Sequence, residues 1–463
     1  MPTQYTVSTQ SKRALGEAAK MNDANLTATG ASDPRQLLLD APMSKFQSRA
    51  VATTIALCAL DGFDVFAITF AAPALLKEWG IGRAELGIAL SAGLLGMALG
   101  SLLLSPLADT FGRRRMVFVA LAIMIAGTTW TAIVDGLGGL IASRLFTGVG
   151  IGAMIAVIMP LAAEYANSRR RDLAVSLFAV GFPLGGIIGG FVSAYLLAEF
   201  GWRSIFVAAT AIGLVMAVIS ARMLLDPVAL VIARPGRDGL GRVNAFLSRC
   251  GHPAVESLPP PPESKKVPLG RLFEPGMVGT TLHITLIYFL VVIPVFFMQT
   301  WLPTLISDLG IVPARAAMIS AFFSVGGVIA GLAAAATSAR FGLRALLNLT
   351  LAGGGLMIVV FSRLPADIPL LIAAAAVAGF FLQGAMVVLY AVLARTFRAE
   401  MRASGSGFVI GIGRIGSILP PLLAGALAAS GLDRTGIAFV MAAPVLAALA
   451  LLFRFVIRPP TTA

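Results

Sequence analysis

The chain of 463 residues is 58% hydrophobic and only 12% charged, and its formal net charge is +13. Soluble domains carry about twice that fraction of charged residues, so the composition predicts several membrane spans and excludes an ordinary soluble domain. Two cysteines and two histidines are too few for a disulfide framework or a metal-ligand set, and the sequence contains no nucleophile–base set. We therefore expect no metal site, no cofactor and no enzymatic activity.

Twelve apolar segments divide the chain, which predicts an all-α membrane protein with both termini on one side of the bilayer. A basic stretch rich in proline separates six segments from six, as expected for two halves joined by a linker. Residues 1–48 are expected to form a disordered cytoplasmic arm, and residues 49–224 the N-terminal half. Residues 225–276 are the expected cytoplasmic linker loop, residues 277–457 the C-terminal half, and residues 458–463 a cytoplasmic tail.

Positive charge is divided unevenly between the two sides of these segments. If the N-terminal arm is cytoplasmic, 27 of the 35 lysines and arginines fall on that side, six fall on the outer side, and two lie inside spans. Such a bias agrees with the positive-inside rule. The distribution predicts a multi-pass protein of the inner (plasma) membrane with both termini cytoplasmic. It also explains the net charge without a nucleic-acid partner.

The first apolar segment contains two acidic residues, Asp61 and Asp64, near the middle of the bilayer. A carboxylate at that depth costs at least about 2.5 to 3.5 kcal/mol, so it needs a partner, an ion or a proton. A spacing of three residues puts both side chains on one helix face, and Gly62 leaves room for a neighbouring helix. Two coupled carboxylates can carry a proton between them. The alternative is a permanent ion pair between helices.

The loop after the second apolar segment contains Asp109, Gly112 and three arginines from Arg113 to Arg115. A similar sequence surrounds Gly342 after the eighth segment, with Ala339 at the position of Asp109, which indicates duplicated halves. The loop resembles the signature of the major facilitator superfamily. That resemblance implies two pseudo-symmetric six-helix halves, twelve helices in all, and a conformational latch at this loop. The simpler alternative is an anchor of positive charge on the cytoplasmic side.

The stretch from Asp61 to Asp64 resembles the first-helix signature of the aromatic acid:proton symporter family, whose members transport benzoate-type acids. The resemblance also covers Arg144 and Glu164 in the fourth segment. Because arginine stays charged when buried, Arg144 is expected to be the proton-coupling partner of the aspartates, and a static ion pair is the alternative. Glycines at every second position after Arg144 allow close helix packing. Glu164 is expected to contact the loop arginines and to belong to the latch with Asp109.

A second buried cation, Arg414, lies about ten residues into the eleventh segment. An arginine near the midplane of the C-terminal half can bind a carboxylate through two parallel hydrogen bonds, so Arg414 is the residue expected to anchor the substrate. Pairing with a backbone carbonyl or with a helix dipole is the alternative. Gln383 and Tyr390 in the tenth segment are further candidates for substrate binding, since buried polar groups need partners. The sequence departs from the symporter family at Pro420-Pro421, where a Gly-Pro pair is usual.

These patterns predict a secondary active transporter that takes up a small aromatic carboxylate, such as benzoate or 4-hydroxybenzoate, together with a proton by alternating access. A monomer is expected to suffice. One alternative on the same fold is a carrier or exporter for another organic acid or metabolite. Another is a transporter-like receptor, but the linker at residues 225–276 is short and rich in proline, which is unlike a signalling domain.

Overall fold

The computed structural model describes residues 33–236, 238–261, 269–397 and 401–455, and every regular element in these ranges is helical. Eleven of the described helices are long and apolar enough to cross a bilayer. The longest, Pro313–Phe361, contains 49 residues and is interrupted at Gly342, so it comprises two helices. With this division the predicted twelve membrane helices are confirmed.

The membrane helices are numbered α1 to α12 in chain order. They are Lys45–Trp79, Arg83–Leu103, Arg113–Ile133, Leu137–Tyr165, Arg171–Glu199, Arg203–Met223, Val278–Ser307, the parts of Pro313–Phe361 before and after Gly342 (α8 and α9), Ile368–Thr396, Arg402–Ala429 and Arg434–Arg454. We call the side on which α1 begins and α12 ends the terminal side, and the opposite side the distal side.

The internal repeat predicted from the sequence is visible in the backbone. Gly112 precedes α3 with φ 95° and ψ 142°, and Gly342 precedes α9 with φ 75° and ψ 153°. This region of φ and ψ is open almost only to glycine, because a Cβ atom would clash there. The two glycines therefore make the same sharp turn at equivalent places in the two halves, as expected of duplicated units.

The structure corrects two expectations about the segments outside the membrane. Within the arm that was expected to be disordered up to residue 48, residues Pro34–Asp40 form a helix, and α1 already begins at Lys45. Residues 1–32 lie outside the described part. The linker contains two helices, Val228–Ala233 and Gly239–Cys250, which pack against the N-terminal half.

Glycines allow α2 and α4 to lie backbone to backbone. A Cβ atom on Gly148 would be 2.2 Å from the carbonyl oxygen of Gly93, and one on Gly152 would be 2.0 Å from that of Met97. Real Cβ atoms essentially never approach within 3.0 Å, so only glycine fits at these positions. The expected close packing after Arg144 is confirmed. It buries the arginine side chain deep in the N-terminal half.

The two halves meet on the distal side. At the start of α2, Arg83 donates two hydrogen bonds to Asp308 at the end of α7, at 2.8 and 2.9 Å. Two turns further along α2, the Ser91 hydroxyl donates to the carbonyl oxygen of Ile418 in α11 at 2.9 Å. A Cβ atom on Gly190 of α5 would be 2.5 Å from that of Ala321 in α8. These contacts close the distal end of the space between the halves.

Candidate functional site

The two aspartates of α1 are buried, and three of their four carboxylate oxygens have no hydrogen-bond partner among the described residues. Asp61 is 0% exposed and Asp64 is 3% exposed. Among the described residues, neither oxygen of Asp61 accepts a hydrogen bond, and Oδ1 of Asp64 accepts none. Gly62 packs against α5 as expected, since a Cβ atom there would be 2.2 Å from the carbonyl oxygen of Phe182. The aspartates therefore lie inside a tightly packed region, and no ion pair involves either of them in the described parts of the chain.

The structure brings Arg144 close to Asp64, and no ion pair joins the two among the described residues. Asp64 and Arg144 line one cavity of about 30 Å³, together with Thr69, Thr147 and Thr300. A cavity needs at least about 10–15 Å³ for each water molecule that it holds, so this cavity has room for about two. Among the described residues, Arg144 forms no ion pair with either aspartate. A small movement across this cavity would join Asp64 to Arg144.

Arg144 is held by partners that the sequence did not reveal. Its Nε and Nη2 atoms donate to the hydroxyl oxygen of Thr131 in α3, at 3.2 and 2.6 Å. Its guanidinium carbon lies 4.8 Å from the ring centroid of Phe206 in α6, a cation–π distance. The run of three threonines around Trp130 in an apolar helix was an available signal for Thr131. Nothing in the local sequence pointed to Phe206.

The second site is centred on Arg414 in α11. Its Nη1 atom is buried and has no hydrogen-bond partner among the described residues. Its electrostatic neighbours are the tyrosines of α7 and α10, Tyr288 and Tyr390. The Tyr288 hydroxyl donates to that of Tyr390 at 3.2 Å, and their ring centroids are 6.1 Å apart. Gly413 lets Tyr288 lie against α11, because a Cβ atom there would be 2.0 Å from its ring.

Gln383 lies on the same face of α10 as Tyr390, about two turns away, or roughly 10 Å along the axis. Its side-chain oxygen packs against α8, where a Cβ atom on Gly327 would be 2.0 Å from it. No hydrogen bond joins Gln383 to Arg414 or to Tyr390 in the described parts of the chain. The structure thus brings Tyr390 and Arg414 together, with Gln383 at a distance.

The predicted loop after α2 contains a short helix, Ser105–Phe111, and the residues that follow it are held by contacts within the N-terminal half and the linker. Arg113 forms an ion pair with Glu164 at the end of α4. The backbone N–H of Arg114 donates to Asp226, just after α6, at 2.9 Å, and its guanidinium donates to the carbonyl oxygen of Ala221 at 3.0 Å. The side chain of Asp109 lies outside what the structure describes. Asp226 is the partner that the sequence did not reveal.

Comparison with known proteins agrees with this architecture. The family description "Major Facilitator Superfamily" matches residues 54–312 and 284–463 of the chain. A solved bacterial homologue of the human lysosomal transporter Spinster, in an inward-facing and unoccupied conformation, matches with a TM-score of 0.65 at 15% identity. The match covers 89% of this chain and 97% of that one. The protein is a membrane transporter that belongs to the major facilitator superfamily.

Several relatives act on aromatic acids, according to their names. The gallate transporter of Pseudomonas putida is 30% identical and aligns over 90% of this chain and 93% of its own. The 4-hydroxybenzoate transporter PcaK of Pseudomonas aeruginosa is 33% identical, with 86% and 90% coverage. The niacin transporter NiaP of Acinetobacter baylyi is 27% identical, with 78% and 83% coverage. The chain is thus a secondary transporter related to carriers of aromatic acids.

Proposed function

We propose that the protein takes up a small aromatic carboxylate together with a proton. The observation that carries the proposal is the pair of buried carboxylates in α1, which form no ion pair among the described residues, with Asp64 lining the same cavity as Arg144. The Nη1 atom of Arg414, in the C-terminal half, is also buried and has no hydrogen-bond partner in the part of the chain that the structure describes. The N-terminal half thus offers a proton acceptor, and the C-terminal half offers a group that can bind an anion.

The proton site works through the cavity between Asp64 and Arg144. A charged carboxylate without an ion pair in this interior would cost several kcal/mol, so the proposal places a proton on both Asp61 and Asp64 in the distal-closed structure. Loss of the proton from Asp64 restores its charge and attracts the guanidinium across the cavity. Arg144 then leaves Thr131 and pairs with Asp64. Protonation of Asp64 therefore determines whether Arg144 is bound by Thr131 of α3 or by Asp64 of α1.

The substrate site is centred on Arg414 and its tyrosine neighbours. A guanidinium binds a carboxylate through two parallel, charge-assisted hydrogen bonds. Tyr288 and Tyr390 add ring faces for an aryl group and hydroxyls for a ring substituent. This chemistry fits benzoates and hydroxybenzoates. The names of the relatives that carry gallate and 4-hydroxybenzoate support the same substrate class. Gln383 is proposed to contact the far end of the substrate.

Alternating access links the two sites. We place the terminal side in the cytoplasm of a plasma membrane, on the basis of 27 lysines and arginines against six. The distal-closed structure is then the inward-facing state of a monomeric carrier. Proton and substrate each bind more tightly when the other is present, which is the condition for coupling. In the outward-facing state, the loop after α2 latches the terminal side. The latch residues are Asp109, Gly112, Arg113, Arg114 and Glu164.

A binding screen tests the substrate class. Purified protein is heated with benzoate, 4-hydroxybenzoate, nicotinate, a phenylpropionate or an aliphatic acid, at two pH values, and the unfolding midpoint is recorded. We expect the aryl carboxylates to raise the midpoint, and more at the lower pH, because protonation and substrate binding support each other. Stabilisation by aliphatic acids alone would contradict the aromatic assignment.

The ion pair of Arg83 and Asp308 makes a testable contribution to the closed distal side. Because such partly exposed pairs contribute up to about 1 kcal/mol, Arg83→Gln should shift the balance toward distal-open molecules up to about fivefold. Distances between spin labels on the distal ends of α1 and α8 would measure that shift. The exchange Arg83→Asp with Asp308→Arg should restore the original distribution. An unchanged distribution in Arg83→Gln would rule out this role.

A further inference from the structure

The cavity beside Asp64 and Arg144 is built from both halves of the protein. Helices α1, α2 and α4 of the N-terminal half supply all but one of the described residues that line it. The exception is Thr300 of α7, which is buried and belongs to the C-terminal half. Because alternating access moves one half against the other, Thr300 leaves this cavity when the distal side opens. The surroundings of the proton site therefore differ between the two states.

Thr300 lies on the distal side of Asp64. It is seven residues before the distal end of α7 at Ser307, and Asp64 is fifteen residues before the distal end of α1 at Trp79. At about 1.5 Å per residue, these positions are about 10 Å and about 22 Å from the distal helix ends. Thr300 therefore lies between Asp64 and the surface from which the proton arrives in the proposed uptake cycle.

Few polar groups surround Asp64. Its charged neighbours in the described ranges are Asp61 on the same helix and Arg144 on α4. The parts of α2, α5, α7 and α8 that pack around it contain no charged side chain. The uncharged polar side chains that line the cavity are those of Thr69, Thr147 and Thr300. A buried water molecule needs two to four hydrogen-bond partners, so the threonine hydroxyls are the partners available besides Asp64 and Arg144.

The hydroxyl of Thr300 can accept a hydrogen bond within the cavity. It donates its own proton to the carbonyl oxygen of Phe296 at 2.6 Å, which leaves the lone pairs of its oxygen as acceptors. The hydroxyl of Thr147 donates in the same way to the carbonyl oxygen of Ser143 at 2.8 Å. A protonated carboxyl group is a donor, so acceptors that reach it through water favour its protonation. Thr147 moves with the proton site, whereas Thr300 is beside it only in the distal-closed state.

We propose that Thr300 is a positioning residue of the proton site. Its hydroxyl accepts a hydrogen bond from a water molecule, which itself accepts from the protonated carboxyl group of Asp64. This role rests on the proposed function, in which Asp64 carries the coupled proton. A proton can favour one conformation only through contacts that differ between the two, and Thr300 supplies such a contact. Binding of the proton then stabilises the distal-closed state.

The pH dependence of uptake tests this role in the full-length protein in proteoliposomes, with 4-hydroxybenzoate or the best ligand from the screen. Thr300→Val keeps the shape of the side chain and removes its oxygen, so protonated Asp64 loses a partner. A hydrogen bond of this kind contributes about a two- to tenfold factor, so the pH of half-maximal uptake should fall by about 0.4 to 1 unit. Thr300→Ser keeps the hydroxyl and should behave as the unaltered protein does.

Spin labels on the distal ends of α1 and α8 give a second readout, which a purely structural role would not reproduce. At low pH, Thr300→Val should raise the ratio of distal-open to distal-closed molecules about two- to tenfold. At high pH, where Asp64 is charged and donates no hydrogen bond, the variant and the unaltered protein should agree. A shift of equal size at both pH values would mean that Thr300 only packs the halves together, and would refute its role at the proton site.

The matched control is Thr285→Val on the same helix. Thr285 is buried and donates to the carbonyl oxygen of Thr281 at 2.6 Å, but it does not line the cavity. This variant should keep the original pH dependence. Equal shifts in the two valine variants, or no shift in Thr300→Val while Asp64→Asn abolishes accumulation, would overturn the role of Thr300 and leave the proton site in place. Normal accumulation in Asp64→Asn would overturn the proposed function and this role with it.

Discussion

The substitution Asp64→Asn is expected to abolish uphill accumulation of substrate while leaving the protein folded and inserted. Asparagine has nearly the shape of a protonated aspartic acid, so it keeps the packing beside Arg144. It cannot release a proton, however, so Arg144 no longer alternates between Thr131 and position 64. Accumulation driven by a pH gradient should fall to the level of protein-free vesicles, and Asp61→Asn should behave in the same way.

Two further readouts separate lost coupling from lost folding. Exchange of labelled for unlabelled substrate without a pH gradient should persist in Asp64→Asn, because exchange needs no net movement of protons. The matched control is Asp433→Asn on the distal side, where Asp433 caps α12 by accepting from the N–H of Gly436 at 2.9 Å. Asparagine also caps helices, so this variant should accumulate substrate normally. Normal accumulation in Asp64→Asn would refute the proton site.

Removal of the guanidinium in Arg414→Gln is expected to weaken substrate binding about 10- to 150-fold. A hydrogen bond to a charged partner contributes about 1.5 to 3 kcal/mol, and the Nη1 atom of Arg414 has no hydrogen-bond partner to lose among the described residues. Arg414→Lys should be intermediate, because an ammonium group keeps the charge but cannot bind a carboxylate bidentately. Binding is measured by calorimetry or by the substrate-induced shift of the unfolding midpoint.

The unfolding midpoint without substrate distinguishes a binding role from a structural one. Arg414→Gln removes a buried donor that has no partner in the described ranges, so the substrate-free protein should be as stable as before or more so. If Arg414 instead served the packing of α11, the midpoint would fall with the affinity. The control Arg395→Gln removes an exposed charge from the terminal end of α10 and should leave binding unchanged. An unchanged affinity in Arg414→Gln would contradict the substrate site.

Much of the fold could be predicted from the sequence because bilayer thickness and loop charge restrict it strongly. The twelve apolar segments appear as membrane helices, and the repeated turn at Gly112 and Gly342 follows from one glycine in each half. The helix Gly239–Cys250 was missed although its buried side chains, among them Val243, Phe246 and Leu247, have helical spacing. The nearby run of prolines favoured the prediction of a loop over that of a helix.

The candidate site could be predicted only in part, because partners depend on the rotation and tilt of helices. Asp61, Asp64 and Arg144 stand out as charges in apolar segments, and the structure brings Asp64 and Arg144 to one cavity. Thr131 and Phe206 hold Arg144 from helices that no local spacing connects to it. The sequence suggested a direct pair between arginine and aspartate. The structure shows these groups apart, so the pair belongs to a different step of the proposed cycle.

The most direct test of proton-coupled uptake is the proton flux that accompanies substrate entry. Proteoliposomes with a pH-sensitive dye inside receive 4-hydroxybenzoate, or the best ligand from the screen, with no initial pH gradient. We predict acidification of the interior together with substrate entry, faster than in protein-free vesicles and absent in Asp64→Asn. Substrate entry through the unaltered protein without acidification, or with proton movement in the opposite direction, would contradict the proposal.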